Sequence, residues 1–183
     1  KASVVGASGY SGGELVRLLS RHPQVEISTL TANRQQGVGL TESFPHLEGF
    51  ADHALVAPEW AALGAEADVV FIALPHGLSM EGAAAVLDGG AKRVDSGAVF
   101  RLREGSLYGD WYDIEHSATD LLAEAVYGLP ELHREAIASA RLVACPGCYP
   151  TASILALLPL MSHLSADVRG PIIIDAKSGV SGA

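Results

Sequence analysis

A chain of 183 residues, 49% of them hydrophobic, can bury a sizeable core in one domain, or in one domain and part of another. Its formal net charge of −9 argues against nucleic acid as a partner. No apolar run approaches the roughly 18 to 20 residues of a membrane span, no signal peptide opens the chain, and two cysteines make no secreted disulfide framework, so a soluble cytoplasmic protein with no membrane partner is expected.

Residues 2–6 are a short apolar run ending in glycine, and Gly6-Ala7-Ser8-Gly9-Tyr10-Ser11-Gly12 follows with glycines three apart. Residues 14–19 then carry apolar positions at helical spacing. Strand, glycine loop and helix, in that order, is the setting in which G-x-x-G-x-x-G reads as a phosphate cradle. The glycines let the backbone approach a pyrophosphate, and the helix start offers free N–H groups and the positive end of its dipole. Gly6, Ser8, Gly9, Tyr10, Ser11 and Gly12 are therefore candidate dinucleotide-binding residues; an ordinary tight turn is the plainer alternative. Residues 25–32 read as the second strand. It ends in Thr31-Ala32-Asn33-Arg34, with no acid for a ribose 2′-hydroxyl and an arginine whose fork suits a 2′-phosphate. This favours NADP over NAD and makes Arg34 a cofactor candidate, although a solvated loop charge would look the same.

Residues 35–55, glycine-rich with one Pro and two His, read as loop, and residues 58–64 as a short helix. Ala67-Asp68-Val69-Val70-Phe71-Ile72-Ala73-Leu74 suits a central parallel strand buried on both faces. Pro75-His76-Gly77 follows, where α/β sheets bind ligands, so Pro75 and His76 are candidates for cofactor contact; a loop histidine without a role is the alternative. Residues 79–87 read as an Ala-rich helix capped by Ser79 and closed by Gly89-Gly90. Lys92-Arg93-Val94-Asp95 starts another strand, with Arg101 in the loop beyond. Residues 108–118 read as an aromatic and acidic loop, 131–140 as helix and 141–144 as strand.

Leu142-Val143-Ala144-Cys145-Pro146-Gly147-Cys148-Tyr149-Pro150-Thr151 breaks from an apolar run into the helix expected over residues 151–161. Cys148 sits at that turn. A thiol at a helix start feels the partial positive charge of the free amides, which favours the nucleophilic thiolate. Pro150 suits the first turn, where its missing N–H costs nothing. The plainer alternative is a small buried cysteine. Cys145 and Cys148 also form C-x-x-C, the spacing of a dithiol pair or half a zinc site. Zinc needs two more ligands, and neither another cysteine nor a tight His pair supplies them, so no metal is expected. Pro159 marks a kink or the end of the helix, and Pro171-Ile172-Ile173-Ile174-Asp175-Ala176 reads as a strand.

Alternating strands and helices give a doubly wound parallel sheet, an α/β fold. A Rossmann-type dinucleotide-binding domain is expected over residues 1–147, followed by the start of an α+β substrate and catalytic domain over residues 148–183. A chain that starts at Lys1 without Met and stops at Ser181-Gly182-Ala183 reads as incomplete.

Taken together, the motifs resemble the N-acetyl-γ-glutamyl-phosphate reductase family of arginine biosynthesis. The matching stretches are the first glycine loop, Ala73-Leu74-Pro75-His76-Gly77, Phe100-Arg101-Leu102, Gly128-Leu129-Pro130-Glu131, Pro146-Gly147-Cys148-Tyr149-Pro150-Thr151 and Ser178-Gly179-Val180-Ser181-Gly182-Ala183. The resemblance implies that Cys148 attacks an acyl phosphate, that phosphate leaves a thioester, and that NADPH reduces it to the semialdehyde. It implies substrate-binding roles for Arg101, where related aldehyde-forming dehydrogenases hold phosphate, and for Glu131. It also implies cofactor contacts at Ser178 and Gly179, a homo-oligomer, and a second half that carries the dimerisation surface and a catalytic histidine beyond Ala183. This chain departs from the family at Cys145, where Asn is frequent, and at Gly97-Ala98-Val99, where Ser-Ala-Asp is usual. Aspartate-semialdehyde dehydrogenase and the reductase acting on carrier-linked aminoadipate are the alternatives that share the mechanism. A non-enzymatic NADP-binding sensor, with Cys145 and Cys148 as its redox switch, is the alternative of another kind.

Overall fold

The computed structural model describes residues 1–49, 52–161, 163 and 171–179. The chain divides into two units, Lys1–Cys145 and Pro146–Ala183. The first holds six strands: β1 (Ala2–Val5), β2 (Ile27–Thr31), β3 (Val69–Ile72), β4 (Lys92–Asp95), β5 (Val126–Tyr127) and β6 (Leu142–Ala144). They form one sheet in the order β2-β1-β3-β4-β6-β5, with every pairing parallel. Between them run α1 (Tyr10–Leu19), α2 (Leu40–Ser43), α3 (Trp60–Glu66), α4 (Ala83–Asp88), α5 (Leu107–Tyr112) and α6 (Pro130–Ser139).

Successive side chains of a strand point to opposite faces, and β1 shows why the sheet is covered twice. Val4 packs with Ala7, Val16 of α1 and Leu30, whereas Val5 packs with Leu63 of α3, Val70 and Val86 of α4. All of these are buried, and each Val or Leu contributes about 1.5–3 kcal/mol by leaving water. Strand β4 breaks the apolar rule. Arg93 and Asp95 are both fully buried and paired at 2.7 Å, with the guanidinium 5.5 Å from the centre of the Phe100 ring. Burial pulls the Arg93 guanidinium below its ordinary value, and Asp95 opposes that shift. The Nε and Nη1 atoms of Arg93 have no hydrogen-bond partner among the described residues.

The structure corrects several expectations. Residues 35–55 are more than loop: α2 is entered where Glu42 Oε1 accepts the Gly39 N–H at 3.1 Å, a 3-10 turn spans Pro45–Leu47, and Gly39 bridges Ala54. Buried Leu40, Leu47 and Leu55 hold the segment to the core, at spacings too uneven to give a period. Ser79 caps no helix. It is buried in a 3-10 turn, Leu78–Met80, and α4 begins only after Gly82. Gly82 takes a left-handed conformation, and a Cβ there would collide with the Trp60 ring, so both backbone and contact call for glycine. Residues 107–112 are helical because Tyr108 and Tyr112 stack one turn apart, 5.7 Å between ring centres. The Tyr108 hydroxyl accepts the Leu102 N–H at 2.8 Å. Strand β5, two residues long, carries no periodic signal.

In the second unit α7 (Cys148–Met161) starts three residues earlier than its sequence pattern suggests and runs through Pro159. No described residue pairs with the isoleucine run expected as a strand, and Ile173 is 86% exposed. A strand exists only through a neighbour's ladder, which β-propensity cannot supply. Residues 180–183 of the last motif lie outside the described residues. No helix among the described residues is long and apolar enough to cross a membrane.

Candidate active site

A parallel sheet sends every strand's carboxyl end to one edge, and the candidate residues of the first unit all stand on the loops that leave that edge or on the helix starts that follow them. The order of the strands turns at β1, with β2 on one side and β3 on the other. Ligands bind at such a switch point.

The glycine loop lies there. Gly6 has φ +84, and a Cβ on it would run into the carbonyl of Ala73, just beyond β3. Its N–H and that of Ala7 donate to Thr31 O at 3.1 and 2.9 Å, which ties the loop to the end of β2. Gly12 is buried against the Gly6 carbonyl and the Ala7 backbone. Gly9 differs: its nearest neighbour would be the Gly6 oxygen at 3.5 Å, an ordinary contact. Nothing among the described residues requires glycine at that position, while bare backbone there admits a ligand. No side chain caps α1 at Gly9, and Gly9, Tyr10 and Ser11 are exposed, with Ser8 half-buried. The first amides of α1 are thus left for an anion. A cleft of about 200 Å³ opens beside the loop, lined by Gly6, Thr31, Asn33, Trp60, Leu74 and Glu81 among others. Larger depressions, of about 530 Å³ over residues 105–119 and 740 Å³ along α6, have no glycine cradle, and volume does not decide here. Asn33, Trp60 and Glu81 were not legible as cleft residues, because the fold gathers them from two separate loops and the start of α3. Arg34 is exposed, with no hydrogen-bond or ion-pair partner among the described residues.

The loops after β3, β4 and β6 interlock. His76 is exposed, and its Nδ1 accepts the Ala98 N–H at 3.2 Å. That assignment leaves Nε2 as the N–H of the neutral ring. Pro75, also exposed, accepts the Leu78 N–H on its carbonyl at 3.3 Å. Arg101 is half-buried; its Nε donates to Cys145 O at 2.7 Å and its Nη2 to Ser96 O at 3.0 Å. The Cys145 N–H donates to Asp95 O at 2.8 Å. Burial pushes the Cys145 thiol up, the Asp95 charge adds to this, and Arg101 opposes it. Glu131 is exposed in the first turn of α6. Arg34 and Glu131 follow the two edge strands, β2 and β5, and neither meets another candidate residue.

In the second unit Gly147 O accepts the Thr151 N–H at 3.0 Å and the Thr151 hydroxyl at 2.8 Å. Gly147 is therefore the cap and Cys148 the first helical residue. Pro150 has no N–H, so the amides of Cys148 and Tyr149 stand outside the helical ladder, next to an exposed thiol. Both cysteines are free. Ser178 and Gly179 are exposed in the segment 171–179. No group of three or more metal-ligating side chains occurs among the described residues.

Residues 1–140 match the family model described as semialdehyde dehydrogenase, NAD binding domain, and residues 148–183 match semialdehyde dehydrogenase, dimerisation domain. The whole chain is 50% identical to 53% of the N-acetyl-gamma-glutamyl-phosphate reductase of Nitrosococcus oceani, and 52% identical to 53% of that of Desulforudis audaxviator. The chain spans about half the length of the curated relatives it matches. Among solved structures, aspartate semialdehyde dehydrogenase II of Vibrio cholerae, complexed with ASA, aligns over 88% of this chain and 46% of its own, with TM-score 0.61 and 19% identity. Aspartate semialdehyde dehydrogenase of Candida albicans, with NADP, aligns over the same shares with TM-score 0.60 and 22% identity. These two likenesses establish the fold alone.

Proposed function

The chain belongs to the semialdehyde dehydrogenase family, and we propose that it serves in the NADPH-dependent reduction of N-acetyl-γ-glutamyl phosphate to the semialdehyde, with release of phosphate, in arginine biosynthesis. The observation that carries this reading is Cys148 at the first position of α7, with two amides outside the helical ladder beside its thiol. The substrate follows the relatives, which are named for this activity and match along the whole chain.

Residues 1–147 bind the dinucleotide, and residues 148–183 begin the substrate, catalytic and dimerisation domain of a homo-oligomer; the match of residues 148–183 to a semialdehyde dehydrogenase dimerisation domain supports the latter. The first unit fits the cofactor. Gly6 and Gly12 fill spaces that a Cβ would claim, Gly9 leaves backbone bare, and the uncapped start of α1 suits a pyrophosphate. Pro75 and His76 border this site from the end of β3, Arg34 reads the 2′-phosphate, and Ser178 and Gly179 add contacts from the second unit. Bound there, the nicotinamide supplies the hydride.

Cys148 acts as the nucleophile. Its thiolate attacks the acyl carbon, and the N–H groups of Cys148 and Tyr149 stabilise the oxyanion that forms. The intermediate collapses by breaking the carbon–oxygen bond to phosphate, whose leaving oxygen takes up one proton from solvent so that it departs as the dianion, and a thioester remains on Cys148. After reduction of the thioester carbon, a second collapse expels the Cys148 thiolate and frees the aldehyde. Arg101 has two N–H groups on its end-on face beyond those given to Ser96 and Cys145, and these hold the phosphate. Glu131 contacts the substrate from the start of α6. A cytoplasmic setting, where thiols stay reduced, suits this chemistry.

A panel of acyl phosphates, with NADPH oxidation followed on the whole protein, tests the proposal. N-acetyl-γ-glutamyl phosphate is expected to be the preferred substrate. Faster turnover of aspartyl phosphate would move the protein to the neighbouring activity. Dinucleotide binding without turnover of any member would replace the enzyme with a sensor.

A further inference from the structure

We propose that Arg101 is a positioning residue for the nucleophile: its side-on face holds the carbonyls of Cys145 and Ser96 together, and so fixes the point from which Pro146-Gly147 delivers Cys148. This rests on the reading of Cys148 as nucleophile and adds a role that phosphate binding does not require.

A guanidinium offers five N–H donors in a rigid plane. Here Nε and Nη2, the two atoms of one edge of that plane, are spent on main-chain carbonyls: Cys145 O at 2.7 Å and Ser96 O at 3.0 Å. Ser96 follows β4 and Cys145 follows β6, and the two strands are neighbours in the sheet. Arg101 therefore ties the carboxyl ends of two adjacent strands at the residues where the ladder stops. Cys145 is held from both sides, since its own N–H donates to Asp95 O at 2.8 Å.

The loop that presents Arg101 is itself fixed. Ser96 donates its N–H and hydroxyl to Ile72 O at 3.0 and 2.6 Å. The Gly97 N–H donates to Asp95 Oδ1 at 2.7 Å, and the Ala98 N–H to His76 Nδ1 at 3.2 Å. Val99 and Phe100 are buried in the core. Asp95 is oriented in turn by buried Arg93. The fork is anchored from below with its side-on edge engaged, which leaves the end-on N–H groups for phosphate, and the residue it grips lies three positions before the thiol. Only Pro146 and Gly147 separate Cys145 from Cys148, so the carbonyl that Arg101 holds is the start of the link to the thiol. Misplacing a reacting atom by about 1 Å can lower a rate about a hundredfold. Lysine cannot substitute, because a point charge does not hold two carbonyls in one plane.

The test compares wild type, Arg101→Lys and Arg101→Gln in the whole protein, with dinucleotide titration to establish folding. Without substrate, the rate at which iodoacetamide labels Cys148 is followed by peptide mass spectrometry; with substrate, kcat and KM are separated. The positioning role predicts that Arg101→Lys slows labelling and kcat together, each about tenfold, the scale of one lost hydrogen bond to a charged group, while KM for the acyl phosphate moves little because the positive charge remains. Arg101→Gln carries the test if the lysine variant does not fold: it keeps a donor for only one carbonyl and no charge, so it should label Cys148 about tenfold more slowly than wild type and also lose affinity for phosphate. Labelling at the wild-type rate in the folded variant, with or without a raised KM, would overturn the positioning role. Turnover retained in Cys148→Ser would instead overturn the reading of Cys148, whatever Arg101 does.

Discussion

Gly12 lies directly against Gly6: a Cβ on Gly12 would press into the Gly6 carbonyl and come within 2.7 Å of the Ala7 α-carbon. Gly9, between them, meets nothing closer than 3.5 Å. One glycine serves helix–strand packing and the other serves a ligand. Gly12→Ala is expected to cost about 1–3 kcal/mol by overpacking. Gly9→Ala, whose φ of −84 suits alanine, should change stability by less than about 0.5 kcal/mol and still weaken NADPH binding. Thermal melts and fluorescence titration of the two variants check this; a Gly9→Ala protein that binds normally would contradict it.

Much of this was legible in the chain. The glycine spacing, the near-continuous apolar run over residues 67–74 and the break at Pro146-Gly147 each reflect a local rule, and the parallel sheet then carries those breaks to one edge. What was not legible depended on distant partners. Helix α2 needed buried Leu40, Leu47 and Leu55, and α5 needed the Tyr108–Tyr112 stack. Ser79 looked like a cap because its exposure cannot be read from sequence. The grip of Arg101 on Cys145 was not legible, because nothing in the sequence brings it to a residue 44 positions away.

Arg34, exposed and without an ion-pair partner among the described residues, lies just beyond a strand that ends without an acid, and is the proposed reader of the 2′-phosphate. Arg34→Ala should weaken NADP binding about tenfold or more, the worth of a charge-assisted phosphate contact, and leave NAD binding where it was. Equal losses for both dinucleotides would remove Arg34 from that role.

The two thiols should separate by reactivity. Burial, with the Asp95 charge, raises the Cys145 pKa, so at mildly alkaline pH less of it is thiolate than in an unfolded chain. Iodoacetamide is expected to label exposed Cys148 before Cys145. The sign for stability follows. The folded state favours the protonated Cys145 thiol, so its contribution is complete below the ordinary thiol range and is lost as pH rises through the raised value. Cys145→Ala should flatten that alkaline decline in thermal midpoint. Labelling of Cys145 first would contradict the assignment.

The buried pair on β4 makes a further case. Asp95→Ala leaves the Arg93 charge unpaired in the core and deprives the Gly97 N–H of its acceptor, a loss of about 3–5 kcal/mol. Replacing both partners with apolar residues, Arg93→Met with Asp95→Leu, should recover most of it, because no charge is left stranded. Urea melts decide between the outcomes: a double variant no more stable than the single one would mean that the pair itself carries the stability.

The account turns on Cys148 as nucleophile, and trapping the acyl-enzyme tests that most directly. The whole protein is mixed with N-acetyl-γ-glutamyl phosphate in the absence of NADPH, quenched in acid and mapped by peptide mass spectrometry. The acyl group is expected on the peptide carrying Cys148 as a hydroxylamine-labile adduct, absent from Cys148→Ser, which should bind NADPH normally and turn over nothing. An adduct on another residue, or full turnover by Cys148→Ser, would contradict it.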